Sequence, residues 1–414
     1  MDNSEVIIVG GGLAGLCCAL HLKKAGRSFK ILEADQTAGG RVKTENYQGF
    51  RLDHGFQVLL TEYPEAQQVL DYAELDLKKF EPGALIQLQG QMKRLSDPWR
   101  RPQHLLATAF SPAATLMDKL RIAKLRRHVV GKKLEDIETQ EDMTTLEFLQ
   151  QWGFSSRVIE RFFRPFLGGV YLESQLTTTS RKFEFVFKMF SQGDAAIPAR
   201  GMGAIAEQLV EKVGPENISL GTRVARIHNN QVELENGKVL PTHQVVIACD
   251  QTGTEKLLGE DQGKSNGVKC LYFAAEQSPV DESILVLNGD GNGPVNNLCV
   301  PSQLSPQLAP DGQALVSVTV LPSDKVESES DLEQAVCQQL GNWFGEEVKR
   351  WEYLKTFHIP HALPQQNSPT TSRPEFFKLQ EDGTIICGDH LANASIQGAM
   401  VSGRKAAEHI LAKS

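Results

Sequence analysis

Apolar runs at the start of the chain are short, continuous and separated by one amphipathic stretch. Val6–Val9 reads as a fully apolar strand, residues 13–25 as a helix and residues 28–33 as a second strand. The chain therefore opens with a βαβ unit and a parallel sheet. Residues 214–250 read differently: "TRVARI", "QVELE" and "QVVIA" are strands broken by turn signals at Asn229-Asn230 and Asn236-Gly237. They predict an antiparallel meander whose last strand is a fully apolar run. Residues 142–190 read as helical, with a capping box from Thr144 and Glu147 and a shared face for Leu146 and Leu149 before Gly153. From 269 to 321 short strands alternate with loops rich in Gly, Pro and Asn, and a helix over 331–344 follows. The final strand, in "GTIICGD", is apolar enough to return to the first sheet, and a helix closes the chain. This order suits two interleaved domains, and 414 residues suffice for two cores. The sequence holds no internal repeat and no low-complexity tract.

Composition narrows the class. A hydrophobic share of 41% with 23% charged residues fits a globular soluble protein. The net charge of -8 argues against a general nucleic-acid binder. Locally the sign reverses: residues 93–133 carry eleven Lys or Arg against Asp97 and Asp118. Read as a helical segment, this run fits a solvated face. With Trp99, Leu105, Leu106, Phe110, Leu116 and Leu120 a second reading is a basic surface meeting anionic lipid, although Arg127 interrupts the Leu116 and Leu120 face. Seven scattered cysteines suggest a reducing compartment without structural zinc or a disulfide framework. No run of 18 apolar residues occurs, and the first strand begins within six residues of Met1, so neither a spanning helix nor a signal peptide is expected.

Chemistry enters with "VIIVGGGLAGL", which sets Gly10, Gly12 and Gly15 between the first strand and the first helix. Glycines there allow a tight turn, backbone approach to a pyrophosphate and close helix–strand packing, while the helix N-terminus faces the phosphates. Glu33 ends the second strand 18 residues after Gly15 and supplies the acid for a ribose hydroxyl. Together these predict dinucleotide binding. In "EADQTAGGRVKT", Gly39-Gly40-Arg41 gives either a plain surface turn or a second backbone approach with a guanidinium that reaches a phosphate.

With "LDHGFQVL", "IPARGMGAI", "GTRVARI" and "GDHLANASIQGAMVSGRKAA" added, the chain resembles the FAD-dependent amine oxidase, protoporphyrinogen oxidase and phytoene desaturase superfamily over most of its length. The last motif is most similar to the plant and cyanobacterial carotene desaturase branch. The resemblance implies an α/β fold in which a Rossmann-type FAD-binding domain (1–60, 198–255 and 382–414) is interleaved with an α+β substrate domain (61–197 and 256–381). It implies noncovalent FAD, with Gly10, Gly12, Leu13, Ala14 and Gly15 cradling the pyrophosphate, Glu33 on the adenosine ribose and Arg41 by the phosphates. Gly55, Phe56 and Gln57 would flank the isoalloxazine, and Val224 would meet the adenine through its backbone. Asp389 would bind the ribityl or phosphate portion, and Gln397, Gly398 and Ala399 the pyrimidine edge. Ala34, Gly40 and Gly388 complete the implied set. Many members carry a basic residue directly after Glu-Ala, where this chain has Asp35.

On the substrate side, amine oxidases of this superfamily typically stand an aromatic residue at the entrance to the closing helix. The matching position here is Ser395, which lowers the amine oxidase reading. Eight of the nineteen phenylalanines lie at 154, 162, 163, 166, 183, 185, 187 and 190; Phe183 and Phe187 share a helical face, while Phe183, Phe185 and Phe187 equally suit a strand. They fit an ordinary core or an apolar channel for a polyene or tetrapyrrole. No acid or base is evident: His54, His358 and His361 read as structural or exposed, Lys355 is a weak candidate base, and the catalytic residue stays open. The expected reaction is hydride removal from a hydrophobic, isoprenoid or carotenoid-like substrate, or its redox-neutral isomerisation, with a quinone or oxygen as electron acceptor. A flavin amine oxidase and a non-catalytic prenyl-binding escort are the alternatives. The implied location is cytoplasmic or a plastid-like compartment, with peripheral membrane contact left open.

Overall fold

Strands from three distant parts of the chain share the first sheet of this computed structural model, which describes residues 6–97, 100–228, 231–322, 328–368 and 374–413. They are β1 (Val6–Val9), β2 (Phe29–Leu32), β3 (Ile218–Ser219), β4 (Gln244–Ile247), β5 (Phe377–Leu379) and β6 (Ile385–Cys387), in the order β3-β2-β1-β4-β6-β5. All neighbours are parallel except β5 and β6. The return of "GTIICGD" to this sheet is as expected, through Val246 opposite Ile385 and Ile247 opposite Ile386. Because β5 also joins, the sheet reaches back beyond residue 382.

One strand departs from expectation. "QVVIA" does not close the meander; its core, β4, lies between β1 and β6. Val245, Val246 and Ile247 are all buried, so both faces need cover, which a central parallel position supplies. The antiparallel sheet is closed instead by Val239–Pro241, after Val224–His228 and Gln231–Leu234. The turn expected at Asn229-Asn230 lies outside the described residues, as does Trp99.

The second sheet has seven strands, in the order Glu352–Pro364, Ser265–Ala275, Ala314–Val320, Val295–Cys299, Leu285–Asn288, Gly83–Leu88 and Gln91–Ser96. Only Leu285–Asn288 and Gly83–Leu88 run parallel among these pairs. The basic segment therefore begins in a strand, contrary to its helical reading. Gln89 and Gly90 have φ of 51° and 77°, a left-handed pair that turns the chain into a tight hairpin and pulls Lys93 and Arg94 into pairing. Helix resumes at Leu105–Ala109.

The helices that frame the site are α1 (Leu13–Lys24), α2 (Leu116–Gly131), α3 (Arg164–Tyr171), α4 (Ser180–Gln192) and α5 (Ile396–Ala412). The capping box of Thr144 and Glu147 opens the helix Thr145–Gln151 as expected. Helices α1 and α5 touch backbone to backbone: a Cβ on Gly403 would sit 2.0 Å from the Ala14 carbonyl oxygen. Gly403→Val is therefore expected to destabilise the protein by about 1–3 kcal/mol or more, read from the urea midpoint. Gly341→Ala serves as a control. It lies in the helix Glu329–Phe344 with no neighbour within 4 Å of an added Cβ, and should gain about 1 kcal/mol.

Candidate cofactor and substrate site

A cavity of about 1100 Å³ takes its lining from both sheets and from α1, α2, α3, α4 and α5. At one end α1 begins at Gly12, which offers no side-chain cap. The first N–H groups of a helix have no partner within it, and the helix dipole leaves partial positive charge there. An added Cβ on Gly12 would meet only the Gly40 Cα, at 4.0 Å, so the space in front of the helix is open. Gly40 closes the opposite side with φ of 61°. This is the geometry of an anion cradle.

Beside it, Glu33 is fixed by two backbone donors: Gly11 N–H to Oε2 at 2.7 Å and Asp35 N–H to Oε1 at 2.8 Å. Arg41 pairs with Asp389 at 2.5 Å and donates to the Ala362 carbonyl at 3.0 Å, linking the end of β6 to the second sheet. Asp35, the unusual acid, is matched by Lys43 at 2.5 Å. Lys43 also lines the cavity, and nothing in its sequence context marked it.

Most residues implied by the resemblance line this cavity: Gly10, Gly12, Leu13, Ala14, Glu33, Ala34, Gly40 and Arg41 at the α1 end, then Gly55, Phe56, Gln57, Val224, Gly388, Asp389 and Ala399. Three do not. A Cβ on Gly15 would lie 2.0 Å from the Gly10 carbonyl oxygen, so this glycine serves helix–strand packing. The Gln397 side-chain Oε1 accepts from Glu65 N–H at 3.0 Å, which turns that side chain away. Gly398 makes room for Asn393, whose Oδ1 would lie 2.6 Å from an added Cβ. The cavity instead meets Ala394, Ser395, Ile396 and Ala399. Ser395 caps α5, its Oγ accepting from Gly398 N–H at 3.0 Å.

The residues fit a dinucleotide on grounds beyond sequence. The cradle at Gly12 is open, the helix behind it is uncapped, and Gln57 buries its Oε1 without a partner while its amide donates to the Arg41 carbonyl at 3.0 Å. A buried acceptor left unpaired calls for a donor from a ligand.

Toward the second sheet the lining turns aromatic. Phe56 meets Phe80 edge-on at 5.9 Å, and Phe162 stacks on Phe166 at 5.5 Å. A π-turn at Ile159–Phe163 precedes α3, and across it Phe162 reaches the cavity while Phe163 is buried in the helical core. Phe166, Phe187 and Phe190 also line the cavity, whereas Phe154 and Phe183 join Phe163 in that core. Part of the phenylalanine cluster is thus ordinary core and part lines the cavity, and Phe183 to Phe187 is helix.

Tyr63, unmarked in the sequence, lines the cavity beside Ser395, whose hydroxyl hydrogen-bonds it, and stacks on Phe185 at 5.9 Å. An aromatic from another segment therefore stands near the position that Ser395 leaves bare. Among titratable groups, Lys182 lines the cavity and donates to the Ala394 carbonyl at 3.0 Å; burial pulls its ammonium down to about 7. His54 also lines it, and burial lowers its pKa. Lys355 bonds Glu45 at 2.6 Å and does not line the cavity, and His358 and His361 are exposed. Among the described residues no cluster of His, Cys, Asp or Glu can hold a metal ion.

A family model described as "Flavin containing amine oxidoreductase" matches residues 13–411, and the chain belongs to that family. It is an FAD-dependent oxidoreductase. The chain is similar to a carotenoid 3,4-desaturase of Haloarcula japonica, 23% identical over 87% of this chain and 85% of that one. A coproporphyrinogen III oxidase of Propionibacterium freudenreichii subsp. freudenreichii is 23% identical over 77% and 73%. The solved cyclohexylamine oxidase of Brevibacterium oxydans shares the fold, with a TM-score of 0.75, 16% identity and 99% coverage of both chains.

Since the space before Gly12 is open, Gly12→Val fills the cradle without disturbing the core. FAD affinity should fall at least about tenfold, measured by flavin fluorescence titration, while circular dichroism stays unchanged.

Proposed function

We propose that this protein removes hydride from an apolar substrate, isoprenoid or carotenoid-like, held in the aromatic half of the cavity. The observation that carries this reading is the wall of Phe56, Phe80, Phe162, Phe166, Phe187 and Phe190, which joins the cofactor cradle within one cavity. Bound FAD supplies the two-electron acceptor. The side chains named here bind and orient: the aromatic wall excludes water and lays a C–H bond toward the cofactor, which lessens the need for a protein acid or base. The desaturase from Haloarcula supports the reading in kind. Isomerisation without net oxidation uses the same contacts, and electrons from an oxidation pass to a quinone or to oxygen. Tyr63 beside Ser395 favours a second reading, an amine oxidase with a relocated aromatic.

Substrate delivery follows from helix α2 and the residues just before it. Phe110, before α2, and Leu116, Met117 and Leu120 on it are 84%, 69%, 55% and 57% exposed, while Lys119, Ile122 and Arg126 of α2 line the cavity. This apolar patch is assigned to an anionic bilayer surface from which an apolar substrate enters. The local charge excess is smaller than counting implies, because Arg94, Arg101 and Lys132 pair with Glu282, Glu81 and Glu184. Lys124 and Arg127 remain exposed at the patch. Among the described residues no helix is long and apolar enough to cross a membrane.

Anaerobic mixing decides between the substrates: a carotenoid-like polyene should bleach the flavin absorbance and a small primary amine should not. Bleaching by the amine alone defeats the reading. For the exposed patch, the triple change Phe110→Ser, Leu116→Ser, Leu120→Ser should cut co-sedimentation with anionic liposomes at least about tenfold. Unchanged sedimentation contradicts the membrane assignment.

A further inference from the structure

Lys182 occupies a place where an apolar residue would cost less. Its neighbours on α4 face the helical core, as Phe183 does, or the aromatic part of the cavity, as Val186 and Phe190 do. Lys182 itself is 5% exposed, its Nζ lies 5.8 Å from the centre of the Tyr171 ring, and it donates a hydrogen bond to a backbone carbonyl, Ala394 O. Burying an ammonium this way is costly. Asp389 is the acid that acts on it electrostatically, but Asp389 is already paired with Arg41, which acts on Lys182 in the opposite sense. The ammonium therefore lies beside the turn into α5 together with the partial positive charge of that helix's N-terminus. Two positive features at one point of a largely apolar cavity match a negative charge that develops there.

We propose that Lys182 is the counter-charge of the reduced cofactor, its ammonium set against the entrance of α5 to hold the negative charge that FAD gains on two-electron reduction. This rests on the placement of the flavin ring beside α5. The hydride brings both electrons and the proton that the flavin keeps. Above neutral pH, where burial leaves Lys182 largely uncharged, a second proton comes from solvent onto Nζ, completing the ion pair. Lys182 is a positioning residue for charge and breaks no substrate bond.

The test is the midpoint potential of the bound FAD as a function of pH, in the full-length holoprotein and in Lys182→Met, an apolar change of similar length. Between about pH 7 and pH 9 the wild type should take up two protons for each pair of electrons and Lys182→Met one, so the wild-type potential falls twice as steeply. At neutral pH the wild-type potential should also be the more positive. Equal slopes in the two proteins overturn the inference. If the variant loses FAD, the wild-type slope decides alone: two protons support the inference and one proton overturns it. FAD uptake is read separately by absorbance, so a protein that binds FAD yet shows equal slopes contradicts this inference and leaves the functional reading intact. A wild type that binds no FAD contradicts both.

Discussion

The closing helix lies with its backbone against the backbone of the opening helix, and the site depends on that contact. Gly403 of α5 approaches the Ala14 carbonyl more closely than any side chain would permit, and Gly15 of α1 approaches the Gly10 carbonyl in the same way. The Ser402 hydroxyl accepts from Gly388 N–H at 2.7 Å, fixing α5 to the end of β6. Two helix N-termini, from opposite ends of a 414-residue chain, are thereby brought to one cavity. Each brings partial positive charge that a soluble core would not otherwise need.

Charge and apolar surface are divided along the cavity. The Arg41–Asp389 pair and the Glu33 carboxylate lie at the cradle, each fixed by named donors or acceptors. Beyond Phe56 the lining is mainly aromatic and aliphatic. This gradient suits a ligand that is ionic at one end and a substrate that is apolar at the other. Charged side chains reach this part too, Lys119 and Arg126 from α2 and Lys182 from α4, and Lys182 lies at the turn into α5 through its bond to the Ala394 carbonyl.

What the sequence disclosed was local. The βαβ opening, the glycines at 10, 12 and 15 and the acid at 33 belong to one contiguous unit, so spacing alone placed them. Residues joined only by the fold were hidden: Tyr63 reaches Ser395, Lys43 reaches Asp35 and Lys182 reaches Ala394 through tertiary contacts that no periodicity carries. β4 had the composition of a buried strand, but composition does not name its partners, and it went to the parallel sheet. The basic run was counted correctly, yet Glu81, Glu184 and Glu282, which neutralise part of it, lie elsewhere in the chain. Gln397 and Gly398 matched a motif while their side-chain positions face Glu65 and Asn393.

The central claim is that one FAD molecule is held by both helix entrances at once. Hydrogen exchange with and without FAD addresses it directly, because the amides of residues 13, 14 and 396 line the cavity, have no partner within their own helices and exchange readily unless a ligand covers them. Added FAD should slow exchange in both segments together, at the same ligand concentration. Protection confined to the α1 segment, with residue 396 unchanged, would contradict the account.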